Sequence, residues 1–247
     1  MIGILYFSST GNSLYIAQKI QDQMGGQIKY IPNYNGNGSE FEKIILVTPI
    51  YSFGMPTFVD DIIPRLNKAT ELIIIQNYGG MVGGADYYIY QYAKENELNI
   101  KAVYTIKMPE NFTLTFTVPK FYVNRTLKNA DKKINNVINS IVSGYYKIPK
   151  KCKTKRDTYL KNKSNWHLIG EDFSTTQNCI KCGKCVSICP VNNISLQNEK
   201  IVFSNKCVAC LGCYHRCPLK AIIYKGKNKK DRYINSNVIE SNIGRDL

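Results

Sequence analysis

The sequence is short of acids: 18 Asp and Glu stand against 33 Lys and Arg in 247 residues, a formal charge of +15. It also lacks any apolar run near the roughly 20 residues that a membrane-spanning helix needs. Residue 1 leads straight into the short apolar run 2–7, without the basic-then-apolar leader that directs export. The chain is therefore expected to be soluble and cytoplasmic, with no membrane span. Two nucleotide signatures are missing as well. There is no G-x-G-x-x-G, and no lysine follows a glycine-rich loop in P-loop fashion, so neither a dinucleotide nor a nucleoside triphosphate reading has a motif behind it. No constellation of acid, base and nucleophile is evident, and no nucleic-acid-binding module accompanies the positive charge.

Cysteine is what the chain has in excess. Eight of its nine cysteines fall between positions 179 and 217. In a small secreted protein they would suggest disulfides, whereas a reducing compartment favours metal. They form two matching runs, Cys179-x2-Cys182-x2-Cys185-x3-Cys189-Pro190 and Cys207-x2-Cys210-x2-Cys213-x3-Cys217-Pro218. Three thiolates at two-residue gaps wrap a tight loop around an iron–sulfur cubane, and the proline then redirects the chain after the fourth. Structural zinc uses four ligands, usually from two CxxC knuckles, and does not require two tandem runs of this length. Gly183 and Gly212 suit places where backbone approaches a cluster closely. Cys152 stands apart as a bystander thiol, and His215 is read as a neighbour of the second run rather than a ligand.

Over about 50 residues these runs resemble the ferredoxins that carry two [4Fe–4S] clusters. The resemblance implies crossed ligation, in which the fourth cysteine of each run serves the other cluster. Cluster one would then take Cys179, Cys182, Cys185 and Cys217. Cluster two would take Cys207, Cys210, Cys213 and Cys189.

The first part of the chain alternates short apolar runs with helical patterns. Strands are expected at 2–7, 27–31, 43–51, 71–76 and 100–107, and helices at 12–24, 56–67, 85–97 and 120–142. Continuous apolar strands separated by helices point to an α/β, doubly wound, five-stranded parallel sheet. Between the first strand and first helix lies Ser8-Ser9-Thr10-Gly11-Asn12-Ser13, whose hydroxyls and free N–H groups at a helix N-terminus make an anion site.

This hexapeptide and strand pattern resemble flavodoxins, in which a (S/T)-x-T-G-x-(S/T) loop holds the phosphate of FMN. The resemblance implies strand order 2-1-3-4-5, with the flavin beyond the carboxyl ends of the strands. Pro49, Tyr51, Ser52, Phe53 and Gly54 follow the third strand, and Asn77, Tyr78, Gly79 and Gly80 follow the fourth. Tyr51, Phe53 and Tyr78 are candidates to stack on the flavin ring, the glycines to admit its polar edge. Asn111, after the fifth strand, reaches the same face.

Over residues 1–225 the chain is similar to fused flavodoxin–ferredoxin proteins of anaerobic bacteria. The expected organisation is a flavodoxin-like FMN domain at 1–145, a basic linker at 146–173, a small α+β ferredoxin-like domain at 174–225 and a polar tail at 226–247. Lys147, Lys150, Lys151, Lys153, Lys155, Arg156, Lys161 and Lys163 read first as a solvated linker between the domains; among binding roles they suit an acidic redox protein. The leading function is low-potential electron transfer between two [4Fe–4S] clusters and FMN. Its alternative is an enzyme in which the ferredoxin domain feeds a flavin that reduces a small-molecule acceptor, such as a quinone or nitro compound. A redox switch acting on nucleic acid through the basic linker is a third reading. A homodimer could bring an exposed flavin near a neighbouring subunit's clusters.

Overall fold

A computed structural model describes residues 1–115, 117–227 and 231–247. Its main sheet holds β1 (Ile2–Tyr6), β2 (Gln27–Tyr30), β3 (Lys43–Pro49), β4 (Glu71–Tyr78) and β5 (Ile100–Lys107), all parallel, in the order β2-β1-β3-β4-β5. Ile44 to Val47 of β3 and Leu72 to Ile75 of β4 are buried without a break. Successive strand residues face opposite sides, so unbroken burial requires cover on both. That cover is α1 (Asn12–Met24), α2 (Thr57–Ile62), α3 (Ala85–Glu95) and α4 (Lys120–Val142). Leu127, Ile134, Val137, Ile138 and Ile141 form the buried stripe of α4, which packs on β5 and α1. The sheet has the flavodoxin-like order.

The cysteine-rich segment is built on two antiparallel pairs. β6 (Phe173–Thr175) pairs with β9 (Ile222–Tyr224), and β7 (Ile194–Gln197) with β8 (Lys200–Phe203). Short helices α7 (Lys184–Ser187) and α8 (Gly212–Arg216) carry the third cysteine of each run, Cys185 and Cys213. The segment's small core holds Phe173, Leu211, Tyr214 and Ile222, and Leu114 enters it from the loop beyond β5.

Two stretches behave differently from their sequence expectation. The basic segment forms α5 (Arg156–Ser164) and α6 (Trp166–Glu171), and Tyr159 and Trp166 are buried in the core of the main sheet. The Tyr159 hydroxyl donates to Asp60 Oδ2 at 2.6 Å and Met55 O at 3.1 Å, while Lys163 pairs with the same carboxylate. This stretch is packed rather than solvated, although most of its lysines do face solvent. Of the expected polar tail at 226–247, residues 228–230 lie outside the described residues. Residues 231–247 run back over the main sheet as a strap. Ile28 and Leu247 exchange backbone hydrogen bonds at the free edge of β2, and the N–H groups of Gly244 and Arg245 donate to the buried Tyr6 hydroxyl. Among the described residues no helix is long and apolar enough to cross a membrane.

Candidate functional site

The cysteine runs impose the same backbone path twice. Left-handed residues recur at the second and fourth positions after the first cysteine, Lys181 and Gly183 in one run, Ala209 and Leu211 in the other. Asn192 and Lys220, each three beyond the fourth cysteine, repeat the pattern. Alternating right- and left-handed residues turn successive N–H groups toward one concavity, which suits an anion. The bonds to sulfur follow suit. Asn193 N donates to Cys189 Sγ at 3.2 Å and Ala221 N to Cys217 Sγ at 3.2 Å, the same position in each run, and Ala209 N donates to Cys207 Sγ at 3.4 Å. Gly212 stands one position later in its run than Gly183 does in the other. Leu211 takes the left-handed position, and Gly212 lies against Ser9 and Cys210.

The fold gathers the thiols into the two crossed quartets. Cys179, Cys182, Cys185 and Cys217 line one cavity, and Cys189, Cys207, Cys210 and Cys213 line another. Among the described residues no group of three or more His, Cys, Asp or Glu could hold a single metal ion. Each quartet lines an enclosed space with backbone N–H donors beside its sulfurs, which fits a 4Fe-4S cluster. Their environments differ. Cys182 and Ile180 are exposed at the first cavity. Burial pushes the Cys210 thiol up to about 12 and also raises that of Cys213. The second quartet is turned inward.

At the carboxyl edge of the main sheet, the loop at 8–13 lies under cover. Gly11, at φ 95°, starts α1 without a side-chain cap, leaving the first-turn N–H groups of Asn12 and Ser13 for an anion. Neighbouring amides fix the hydroxyls. Asn111 Nδ2 donates to Thr10 Oγ1 at 3.2 Å and Ser9 Oγ at 3.5 Å, and Asn77 Nδ2 donates to Ser13 Oγ at 2.7 Å. Each hydroxyl that accepts there keeps its own proton to donate elsewhere. Ser8 Oγ accepts from Gly11 N at 2.9 Å and closes the loop. Asn12 is committed differently. Its Nδ2 donates to Pro109 O, and its Oδ1 accepts from Tyr233 and Asn235 of the strap.

This loop lines a small cavity together with Pro49, Asn77, Tyr78 and Gly79. Ile50, Tyr51, Glu110 and Asn111 also line a larger neighbour of about 500 Å³. That volume is typical of a small-molecule site. Its remaining walls are Ser52 and Phe112, then Asn162, Asn165, Trp166 and Ile169, and finally Ala209 and Leu211. The last two flank Cys210, so one wall of the cavity comes from the loop that carries the second cysteine quartet. Tyr51 is the aromatic best placed among the three candidates. It meets Trp166 edge-on at 5.9 Å, and burial raises its hydroxyl, which points toward Ser9 without a well-formed hydrogen bond.

The other expected contacts lie elsewhere. Phe53 packs against Gly83 and carries Lys155 Nζ 4.4 Å from its ring centroid. Gly54 makes room for Tyr159, whose ring would lie 2.3 Å from an added Cβ. Gly80 is exposed, and Gly11 is shaped by the strap, since a Cβ there would fall 2.6 Å from Val238 Cγ2. None of these four lines either cavity. Sequence reasoning missed the wall from α5 and α6. Asn162 lies in α5, Asn165 at the joint and Trp166 and Ile169 in α6, so no single helical periodicity marks that wall.

His215 couples the cysteine-rich segment to the flavodoxin-like sheet. Its Nδ1 accepts from Tyr233 N at 3.1 Å, so Nε2 carries the proton and donates to Asn111 O at 2.7 Å. Burial lowers its pKa to about 4, which keeps the ring neutral.

Residues 178–223 match the family model of the 4Fe-4S dicluster domain. No curated protein matches the chain. Among solved structures it is similar to the two-electron reduced flavodoxin of Megasphaera elsdenii, with 20% identity over 42% of this chain and 85% of that one, at a TM-score of 0.37. It is likewise similar to Fusobacterium nucleatum flavodoxin bound to flavin mononucleotide, with 18% identity over 56% and 97% and a TM-score of 0.38. A flavodoxin from the domain Archaea shows 16% identity over 55% and 99%, also at 0.38. The strand order, rather than these likenesses, carries the assignment of the sheet. A flavodoxin-like sheet followed by a 4Fe-4S dicluster segment fits a flavodoxin–ferredoxin fusion.

Proposed function

We propose that the chain is an electron-transfer protein holding two [4Fe–4S] clusters on the crossed cysteine quartets and one FMN on the loop at 8–13. The cavity of about 500 Å³ carries this reading, because Tyr51 and Asn111 stand on one side of it and Ala209 and Leu211 on the other. When bound, the clusters exchange single electrons and the flavin accepts one or two.

The chain's own residues supply the rest. Backbone N–H groups of the two runs solvate the cluster sulfurs, and the first turn of α1, with Ser9, Thr10 and Ser13, donates to the flavin phosphate. Trp166, Ile169 and Leu211 exclude water between the second quartet and the flavin cavity. The exposure of Cys182 and Ile180 makes the first quartet the natural side for exchange with another protein. With a formal charge of +15 on the chain, that partner is an acidic redox protein. An encounter rate that rises with added salt would argue against it. Anaerobic purification followed by iron, sulfide and flavin analysis tests the cofactor set. It should find about eight irons and about one FMN per chain. Colourless protein, or zinc in place of iron, would overturn the reading.

A further inference from the structure

Beside the phosphate-loop cavity, with which it shares Tyr78, a cleft of about 370 Å³ opens between the end of β5 and the first half of α4. Lys107 from the strand, and Arg125 and Lys133 from the helix, line it, and no acid does. Arg125, Asn129 and Lys133 recur every four residues, so one face of α4 turns both of its cations toward the cleft.

Several half-buried lysines elsewhere in the chain have carboxylate partners, Lys43 and Lys101 with Glu71 and Lys163 with Asp60, whereas Lys107, Arg125 and Lys133 stand exposed at the cleft. The three cations of the cleft make no ion pair among the described residues. Asp131, the only acid of α4, is occupied by the Tyr15 hydroxyl. Lys107 rests instead over the Tyr122 ring, 5.8 Å from its centroid. Like charges held together without a counter-ion repel, and an anion between them offsets that repulsion. Neutral donors complete the lining: Thr105, Thr126 and Asn129, with Tyr78 at the boundary shared with the phosphate-loop cavity.

We infer that this cleft binds a small molecule carrying two or more negative charges, presented as phosphate or carboxylate groups. The planar fork of Arg125 matches either group in a two-pronged hydrogen bond, and the lysines add point charge from two sides. The site stands whether or not the neighbouring cavities hold their cofactors.

The test is calorimetric titration of the full, anaerobically purified chain with inorganic pyrophosphate and, separately, citrate, at constant ionic strength. At least one should bind saturably with one site per chain, and the one that binds tells phosphate from carboxylate chemistry. The pair Arg125→Gln and Lys133→Gln should weaken binding by at least about tenfold, since charged hydrogen bonds are lost. The charge-matched pair Lys128→Gln and Lys132→Gln, exposed on the same helix but outside the cleft, should change it by less than about twofold. Iron and flavin contents equal to the parent in both pairs verify that folded protein is being compared. No saturable binding of either anion, or equal weakening by both pairs, overturns the inference.

Discussion

Replacing Cys189 with alanine is expected to destroy the cluster built on the other cysteine run and to spare the one built on its own. Cys189 lines the cavity of Cys207, Cys210 and Cys213, not that of Cys179, Cys182 and Cys185. Losing one thiolate ligand leaves three, so the variant should retain about four irons per chain where the parent has about eight. Double variants decide which cluster has gone. Adding Cys210→Ala to Cys189→Ala should remove little more iron, because both act on one cluster. Adding Cys182→Ala should remove nearly all of it, because the two act on different clusters. The opposite pattern would mean that each run serves itself and that the crossed quartets are wrong.

Removing residues 231–247 should be the most damaging change outside the cysteines. The strap satisfies groups that are buried in the main sheet and the phosphate loop. Without it Asn12 Oδ1 loses Tyr233 and Asn235, the Tyr6 hydroxyl loses the N–H groups of Gly244 and Arg245, and the edge of β2 loses its exchange with Leu247. Glu240, which pairs with Lys184 and Arg216 on either side of the cysteine cavities, goes as well. Each buried group left without a partner costs about 1–3 kcal/mol. Several together remove a large share of a typical folding stability of about 5–15 kcal/mol. The truncated chain should melt well below the parent and retain less flavin after desalting. Tyr233→Phe gives a milder check that leaves the strap in place. It removes one hydroxyl bond, made at 2.6 Å, and should cost about 1 kcal/mol by denaturant unfolding. A truncated chain with unchanged melting and flavin content would show that the strap supports nothing.

The parts legible in the sequence were those in which local pattern and final packing agree. The periodicity of 12–24 and 120–142 matches α1 and α4 residue for residue, because their apolar stripes are the faces they bury. The cysteine spacing encodes a backbone path, and that path recurs in both runs down to its left-handed positions. What was not legible depends on partners far along the chain. Tyr233, Asn235 and Glu240 have no apolar periodicity, and their role emerges only against Asn12 and Arg216. Tyr159 sits among lysines, yet it is fully buried because Gly54 leaves space for its ring and Asp60 takes both its hydroxyl and the Lys163 ammonium. The loop beyond β3 shows the reverse case. Ser52 and Phe53 both adopt positive φ, 49° and 71°, a turn that glycine or asparagine would enter more easily. That turn directs the Phe53 ring onto Gly83 and away from the cavity where composition alone had put it.

The central claim is that the second cysteine quartet adjoins the flavin cavity and relays electrons between it and the first. Anaerobic stopped-flow reduction of the loaded chain by a one-electron protein donor tests it most directly. Cluster absorbance should bleach first, followed by flavin absorbance at a rate independent of donor concentration, and Cys189→Ala should sharply slow the flavin phase alone. If the flavin bleaches just as fast in that variant, electrons reach it without the second quartet and the claim is wrong.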